Sequence, residues 1–345
     1  DYVSRLLSLK AICGLRVREV SQVMLLELGK AVRDLSPHVR RAASVLLPPL
    51  FDMDPSTEDE ILELLETLLD DADANVVGAA LQTYAALCET HWAFVHPVYR
   101  KVCADLAQMD EWNQITAMTV LERYARSFFR DPKGAHGAAH PDGAGEREEE
   151  LAGVTGDAGA AEEELEPDHR LLVDSVLPLV SSTNTSVAYH AALLLYRCGP
   201  ASCERVVAQG LLRLLHTNPS TQFYVLDTIS TLDARLFRGD VTEFFVRTFD
   251  TARVRRTKLE VLSRIADPAN IRAILAELQC YAADRDTAFA REAVKAIGRC
   301  AMNVPEVAET CQQFLIEALD KDGFEEAVVV LRQILQLQHK ERRER

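Results

Sequence analysis

Residues Met109–Phe129 read MDEWNQITAMTVLERYARSFF, and this stretch decides the fold. Asp110 is suited to cap a helix start, and Glu111 suits the positive end of the helix dipole. Ala117, Leu121, Tyr124 and Phe128 recur at steps of four, three and four. That spacing places them on one side of a helix, with Met118 and Ala125 widening the stripe. Glu122, Arg123 and Arg126 fall on the opposite side, and Glu122–Arg126 has the i,i+4 spacing of a favourable ion pair. The stretch therefore predicts one amphipathic helix of about five turns.

Working outward, the same kind of segment recurs. Upstream, the sequence predicts helices over Ser4–Val23, Met24–Leu35, His38–Leu47, Ile61–Leu69, Val76–Leu87 and Val95–Leu106. Ser36-Pro37 has the form of a helix start. In His38–Leu47 the inward positions are Val39, Ala42, Ala43 and Leu46, and Pro48-Pro49 is expected to end or kink the helix, since interior proline costs about 3 kcal/mol. In the next helix Ile61, Leu62, Leu65, Leu68 and Leu69 are expected inward. Downstream, helices follow from Pro167 and over Ser186–Tyr196, Cys203–Leu215, Thr221–Leu232, Val241–Phe249, Val254–Ile265, Ile271–Ala283, Ala288–Cys300, Val307–Leu319 and Glu325–Leu337.

The helices that open after a polar turn begin near Val39, Val76, Ile115, Val187, Phe223, Val254 and Phe289, at steps of 37, 39, 72, 36, 31 and 35. The long step contains Lys133–Glu166, a 34-residue Gly/Ala/Glu tract, and without it the step is 38. That tract holds ten acids against two bases and no apolar periodicity. Such a composition cannot bury enough surface to offset its ordering entropy, so disorder is expected there. Enlarging a surface loop from about four to about forty residues costs only ~2 kcal/mol. Stacked helices burying several side chains at ~1.5–3 kcal/mol each outweigh that. The expected fold is all-α, an α-solenoid of HEAT/armadillo-like helix pairs with one disordered acidic insertion. Residues 1–132 form the first part of the helical trunk, 133–166 the insertion, and 167–345 the continuation.

Composition bounds the function. Of the 345 residues 48% are hydrophobic but only 6% aromatic, which favours helix-on-helix packing. The formal net charge is −15, the opposite of a nucleic-acid binder's basic footprint. No run of eighteen apolar residues is present, and the first residues read as periodic helix, so a cytosolic chain is expected. Eight cysteines lie scattered without a CxxC, which predicts buried free thiols over a disulfide framework or zinc site. His136, His140 and Asp142 sit close in sequence, but Gly137 and Pro141 interrupt any helix that would align them on a metal. His91 and His96 are five apart, a spacing that splits them across a helix. The glycines of Gly134–Gly145 lack the strand-to-helix context of a phosphate cradle. No triad, P-loop or zinc-protease signature occurs, so no catalytic residue, cofactor or metal is expected. Arg253, Arg256, Glu260 and Arg264 step by three, four and four and share one exposed face, the candidate contact surface for an acidic partner or anionic headgroups. A solvated, ion-paired surface is the plainer reading of that face and of the terminal HKERRER.

Several strings resemble the trunk of the large β adaptins of the third heterotetrameric adaptor complex. Asp110, Glu111, Trp112, Gln114, Leu121, Arg123, Tyr124, Ala125 and Arg126 are similar to that family's D-E-W-x-Q…L-x-R-Y-A-R wording. Leu35–Arg40 (LSPHVR), Pro167–Leu172 (PDHRLL), Leu259–Leu262 with Ala269-Asn270-Ile271, Ala296–Ala301 (AIGRCA) and Ala327–Gln338 resemble further parts of the trunk. Pro48-Pro49 depart from the pattern, as does a last repeat a few residues short around Lys321–Phe324. The resemblance implies a non-catalytic scaffold in vesicle-mediated protein transport. Its expected partners are a second large adaptin, a medium and a small subunit, and an Arf-family GTPase. The expected location is peripheral on Golgi or endosomal membranes, in traffic towards lysosome-related compartments. It also implies a chain that starts and stops within the trunk, so no GTPase-contact residue is assigned. The alternatives are another helical-repeat transport scaffold, such as a coatomer subunit or nuclear-transport receptor, and a helical domain attached to an enzyme.

Overall fold

The computed structural model describes residues 1–133 and 165–322, apart from positions 16, 89, 131 and 218, together with 328, 329, 331–333 and 336. The insertion at 134–164, including His136, His140, Asp142 and the Gly134–Gly145 glycines, lies outside the described residues, as do most of the last expected helix and the terminal tail. Every regular element among the described residues is helical. The helices fall into two compact units, Asp1–Val207 and Ala208–Arg345.

The first unit contains α1 (Tyr2–Cys13), α2 (Ser21–Ala31), α3 (Pro37–Met53), α4 (Glu58–Leu69), α5 (Ala74–Leu87), α6 (Tyr99–Asp105), α7 (Glu111–Phe128), α8 (Pro167–Val176) and α9 (Thr185–Cys198). Helices α1, α3, α5, α7 and α9 pack successively in one row, with α2, α4, α6 and α8 forming the other layer. Helix α7 packs directly on α9, so the row is continuous on the two sides of residues 134–164. The period read from the sequence is the spacing of this row. Caps set where its members begin. Asp73 accepts from the amides of Asn75 and Val76, Asp110 from Asn113, and Asn184 from Ser186 and Val187. Each such cap contributes about 1 kcal/mol and fixes which residue starts the apolar stripe.

Polar seams tie neighbouring helices of the row. Arg40 holds Asp71 through Nε and Nη2 at 2.5 and 2.9 Å. Arg41 reaches Asp110. Between α5 and α7, Gln82 donates to Asn113 Oδ1 at 3.0 Å, Asn113 Nδ2 donates to the Asn75 carbonyl at 3.3 Å, and Asn75 Oδ1 accepts from the Asp110 amide at 2.8 Å. Gly78 makes room for this seam. A Cβ there would sit 2.5 Å from Asn113 Cβ, so only glycine permits the approach. Around α7, Trp92, His96, Tyr99, Tyr124, Phe128, Phe129 and His169 form a continuous aromatic cluster.

Several expectations need correction. Ser4–Val23 is two helices. Helix α1 ends at Cys13, where the Gly14 amide bonds back to the Lys10 carbonyl, and a short 3-10 turn over Arg18–Val20 leads into α2. Glycine lowers helix propensity by about 1 kcal/mol at that point, and Leu15 and Val17 beyond it are exposed. Pro48-Pro49 do not stop α3, which runs through to Met53. Pro48 lacks the N–H that would meet the Ser44 carbonyl, but Thr83 Oγ1 of α5 donates to that carbonyl at 2.8 Å. The carbonyl left by Pro49 belongs to Val45, whose residue is half exposed and open to water. Consequently Leu50 extends the buried stripe, while Ala42 and Leu46 are only partly covered. Leu64 replaces Leu62 among the buried residues of α4. Helix α6 starts at Tyr99, after a 3-10 turn at Trp92–Phe94. Within α7, Phe128 is 42% exposed. Glu122 is held by Arg197 of α9 at 2.7 Å in place of Arg126, a stacking contact that local spacing does not reveal.

The second unit contains α11 (Pro219–Thr231), α12 (Ala252–Ile265), α13 (Ile271–Ala282), α14 (Thr287–Asn303) and α15 (Ala308–Asp322), and α10 (Glu204–Leu215) spans the boundary. Here α11, α12 and α14 pack successively, and α13 and α15 flank α14. The expected helix Val241–Phe249 is absent. Two 3-10 turns, Ala234–Phe237 and Val241–Phe244, are followed by a loop over residues 245–251. Seven cysteines are buried and free, and Cys280 is exposed, against the expectation for that thiol. Burial pushes the Cys103 and Cys300 thiols up to about 12, so both stay protonated and unreactive at neutral pH.

Candidate partner interface

Helix α12 carries the basic face. Thr251 Oγ1 caps it by accepting from the Val254 amide at 3.4 Å. Val254, Leu259, Val261, Leu262 and Ile265 are buried. Arg253, Arg256, Glu260 and Arg264 are all exposed, as the spacing requires. Their surroundings differ. The Arg253 guanidinium lies 3.6 Å from the centre of the Phe223 ring, a cation–π contact with α11. Arg256 Nη2 meets Glu292 Oε1 of α14 at 3.3 Å, and Lys295 shares that carboxylate at 3.1 Å. Arg264 lies two turns further along, about 12 Å from Arg256 by helical rise. The structure thus gathers Arg253 and Arg256 at one end of α12 and leaves Arg264 apart.

Sequence reading missed what stands beside them. Lys258 is 1% exposed. Its Nζ donates to Asp250 Oδ2 at 2.7 Å and to the Phe245 carbonyl at 3.0 Å. Arg255 donates from Nε to the Asp250 carbonyl and from Nη2 to the Thr248 carbonyl, while its guanidinium sits over the Phe289 ring. These side chains fasten the 245–251 loop from within. A signal for this exists in the sequence. Lys258 lies midway between Val254 and Leu262 at steps of four, an inward position where a cation requires a buried partner.

No group of three His, Cys, Asp or Glu residues suited to a metal occurs among the described residues. His91 and His96 flank the 3-10 turn before α6, and His96 Nδ1 shares a 2.7 Å hydrogen bond with Tyr124 Oη. No helix among the described residues is long and apolar enough to cross a membrane. Exposed charges and aromatic side chains stand on the packed helices.

Within each unit the helices form a repeat array whose neighbours stack in solenoid fashion. The family profile described as "Adaptin N terminal region" matches residues 1–344, and the chain belongs to that family. It is 33% identical over 360 residues to the AP-3 complex subunit beta of Dictyostelium discoideum, covering 97% of this chain and 32% of the relative. It is 32% identical over 339 residues to the human AP-3 complex subunit beta-1, covering 96% of this chain and 31% of the relative. The chain therefore spans about a third of the length of these curated relatives. Among solved structures, a homology model of the full-length AP-3 complex in an intermediate open conformation superposes with a TM-score of 0.62 at 20% identity, over 96% of this chain and 55% of that one. A Kap95p chain from a complex with RanGDP superposes with a TM-score of 0.51 at 13% identity, over 97% of this chain and 43% of that one. Both likenesses are of fold.

Proposed function

We propose that this chain is trunk from the β-type large subunit of an AP-3-like heterotetrameric adaptor complex, acting as a non-catalytic scaffold in vesicle-mediated protein transport. The observation that carries the reading is the identity of about a third, sustained over nearly the whole chain, with relatives named as AP-3 complex beta subunits. The strings DEW-x-Q and LERYAR lie in α7 and its cap, where the Asp110 amide joins the seam to α5 and Tyr124 joins the aromatic cluster. Stacking thus uses Asp110, Leu121 and Tyr124 of these strings, whereas Trp112 is 76% exposed.

In this reading the partners are a second large adaptin, a medium and a small subunit, with recruitment by an Arf-family GTPase. The chain works in the cytoplasm, peripheral on Golgi or endosomal membranes. Residues 1–132 and 167–345 are one trunk interrupted by the acidic segment 133–166. The face bearing Arg253, Arg256 and Arg264 is a contact surface for one of these partners. No nucleic acid, metal or cofactor is involved. Affinity purification of the full-length protein tests this. Medium and small adaptor subunits are expected in stoichiometric amounts, and recovery without them overturns the reading.

A further inference from the structure

Between α11 and α12 two 3-10 turns stand where the first unit has an outer α-helix, and residues 245–251 cross as a loop. This loop is pinned along its length. The Phe245 carbonyl accepts from Lys258 at 3.0 Å, and the Val246 amide donates to Tyr281 Oη at 2.9 Å. The Arg247 amide donates to Asp250 Oδ2 at 2.8 Å. The Thr248 and Asp250 carbonyls both accept from Arg255, at 3.2 and 3.1 Å. In the middle of these fixed groups stands Phe249, 72% exposed.

A phenylalanine left in water forgoes about 1.5–3 kcal/mol of burial. A backbone already ordered loses little entropy when that ring is finally covered, so pre-organisation favours tight binding there. Two cations flank Phe249 in sequence, Arg247 and Arg253. The Arg247 side chain is 45% exposed and approaches Glu243 only to 4.0 Å. Arg253 is exposed and has no carboxylate partner among the described residues, its guanidinium resting on Phe223. A bilayer is the weaker match. One inserted ring holds a protein only marginally, a fixed backbone adds nothing to insertion, and a chain of net charge −15 is repelled by anionic lipid.

We propose that Phe249 is a rigidly presented anchor that fills an apolar pocket, rimmed by carboxylates, on another subunit of the assembled complex. The inference rests on the adaptor-scaffold reading above. Arg247 and Arg253 supply the charges that meet the rim, and the Lys258 and Arg255 clamps hold the ring at the angle it needs.

The test uses the full-length protein co-expressed with its medium, small and second large subunits. A photo-reactive benzoylphenylalanine at position 249 is expected to cross-link to one short stretch of one other subunit, flanked by Asp or Glu. Phe249→Ala is expected to speed dissociation of that subunit at least tenfold, and Phe249→Leu to retain most of the affinity. Unchanged hydrogen exchange over 245–250 in both variants establishes that the loop is intact. The inference is overturned if the complex assembles but position 249 cross-links only within its own chain. Cross-linking only to lipid in phosphatidylserine/phosphatidylcholine vesicles, or unchanged dissociation of the Ala variant, overturns it equally. A native protein that forms no complex overturns the scaffold reading, and this inference with it.

Discussion

The repeats around α5 and α7 and the repeat between α11 and α12 solve one problem in two ways. Both must stack one row helix on the next. In the first unit each row helix has an outer companion, and the seams between row helices are short polar contacts such as Gln82–Asn113 and Glu122–Arg197. Between α11 and α12 the companion is missing, and a buried Lys258–Asp250 pair with Arg255 holds a loop where a helix would be. The row is what the repeat preserves. The outer layer can be replaced, provided that side chains from the row supply the hydrogen bonds an outer helix makes within itself.

The sharpest way to break this contrast is Lys258→Met. It strands the Asp250 carboxylate, whose side chain is fully buried, without its cation. A loss of about 3–5 kcal/mol is expected from chemical denaturation, with hydrogen exchange rising first over residues 245–250. Lys258→Met with Asp250→Leu should recover much of the loss, because the large cost comes from the widowed charge. A small effect of the single variant would mean that the loop stands without its clamp.

The regular repeats break differently. Gly78→Ala puts a methyl group 2.5 Å from Asn113 Cβ and forces α5 from α7, at an expected cost of about 3 kcal/mol. Thr83→Val removes the donor that replaces the missing N–H of Pro48, leaving the Ser44 carbonyl buried and unmet, at about 2 kcal/mol. Adding Pro48→Ala restores an N–H within α3, so the double variant should lose much less than Thr83→Val alone. Additive losses in thermal unfolding would show that the hydroxyl does not stand in for the missing N–H.

Those residues also mark where the sequence was readable. The row was legible because its signals are local: a cap such as Asp110 or a polar turn, then an apolar stripe at helical period. The passage of α3 through Pro48-Pro49 was not, because the compensating hydroxyl lies 39 residues from the Ser44 carbonyl it meets. Val241–Phe249 kept a helical pattern of apolar residues, but Asp250 and Lys258 use the pattern for a clamp. The exposed face of Arg253, Arg256 and Arg264 followed from spacing alone. Which of them would rest on Phe223 or Glu292 depends on α11 and α14, some 30 to 36 residues distant, and no periodicity encodes that.

The mildest test asks whether the first unit's seams are electrostatic at all. Burial alone would raise the Asp71 carboxyl, but the hydrogen bonds from Arg40 and the Asp73 amide, together with the positive charges of Arg40 and Lys101, outweigh it, and the group sits below the ordinary carboxylate range. Asp34, held by Arg5, and Asp54, held by Ser56 and Ser21, are lowered as well. A depressed carboxylate stabilises the fold fully above its unfolded value of about 3.9 and ceases to do so as pH falls through the lower folded value. Urea midpoints measured from pH 7 to pH 3 should therefore fall on acidification. Asp71→Asn, costing about 1 kcal/mol at neutral pH, should make that fall shallower. If the acid limbs of the two proteins are parallel, the Arg40–Asp71 contact acts by shape, and the regular repeats are held by packing in the same degree that the irregular one is held by charge.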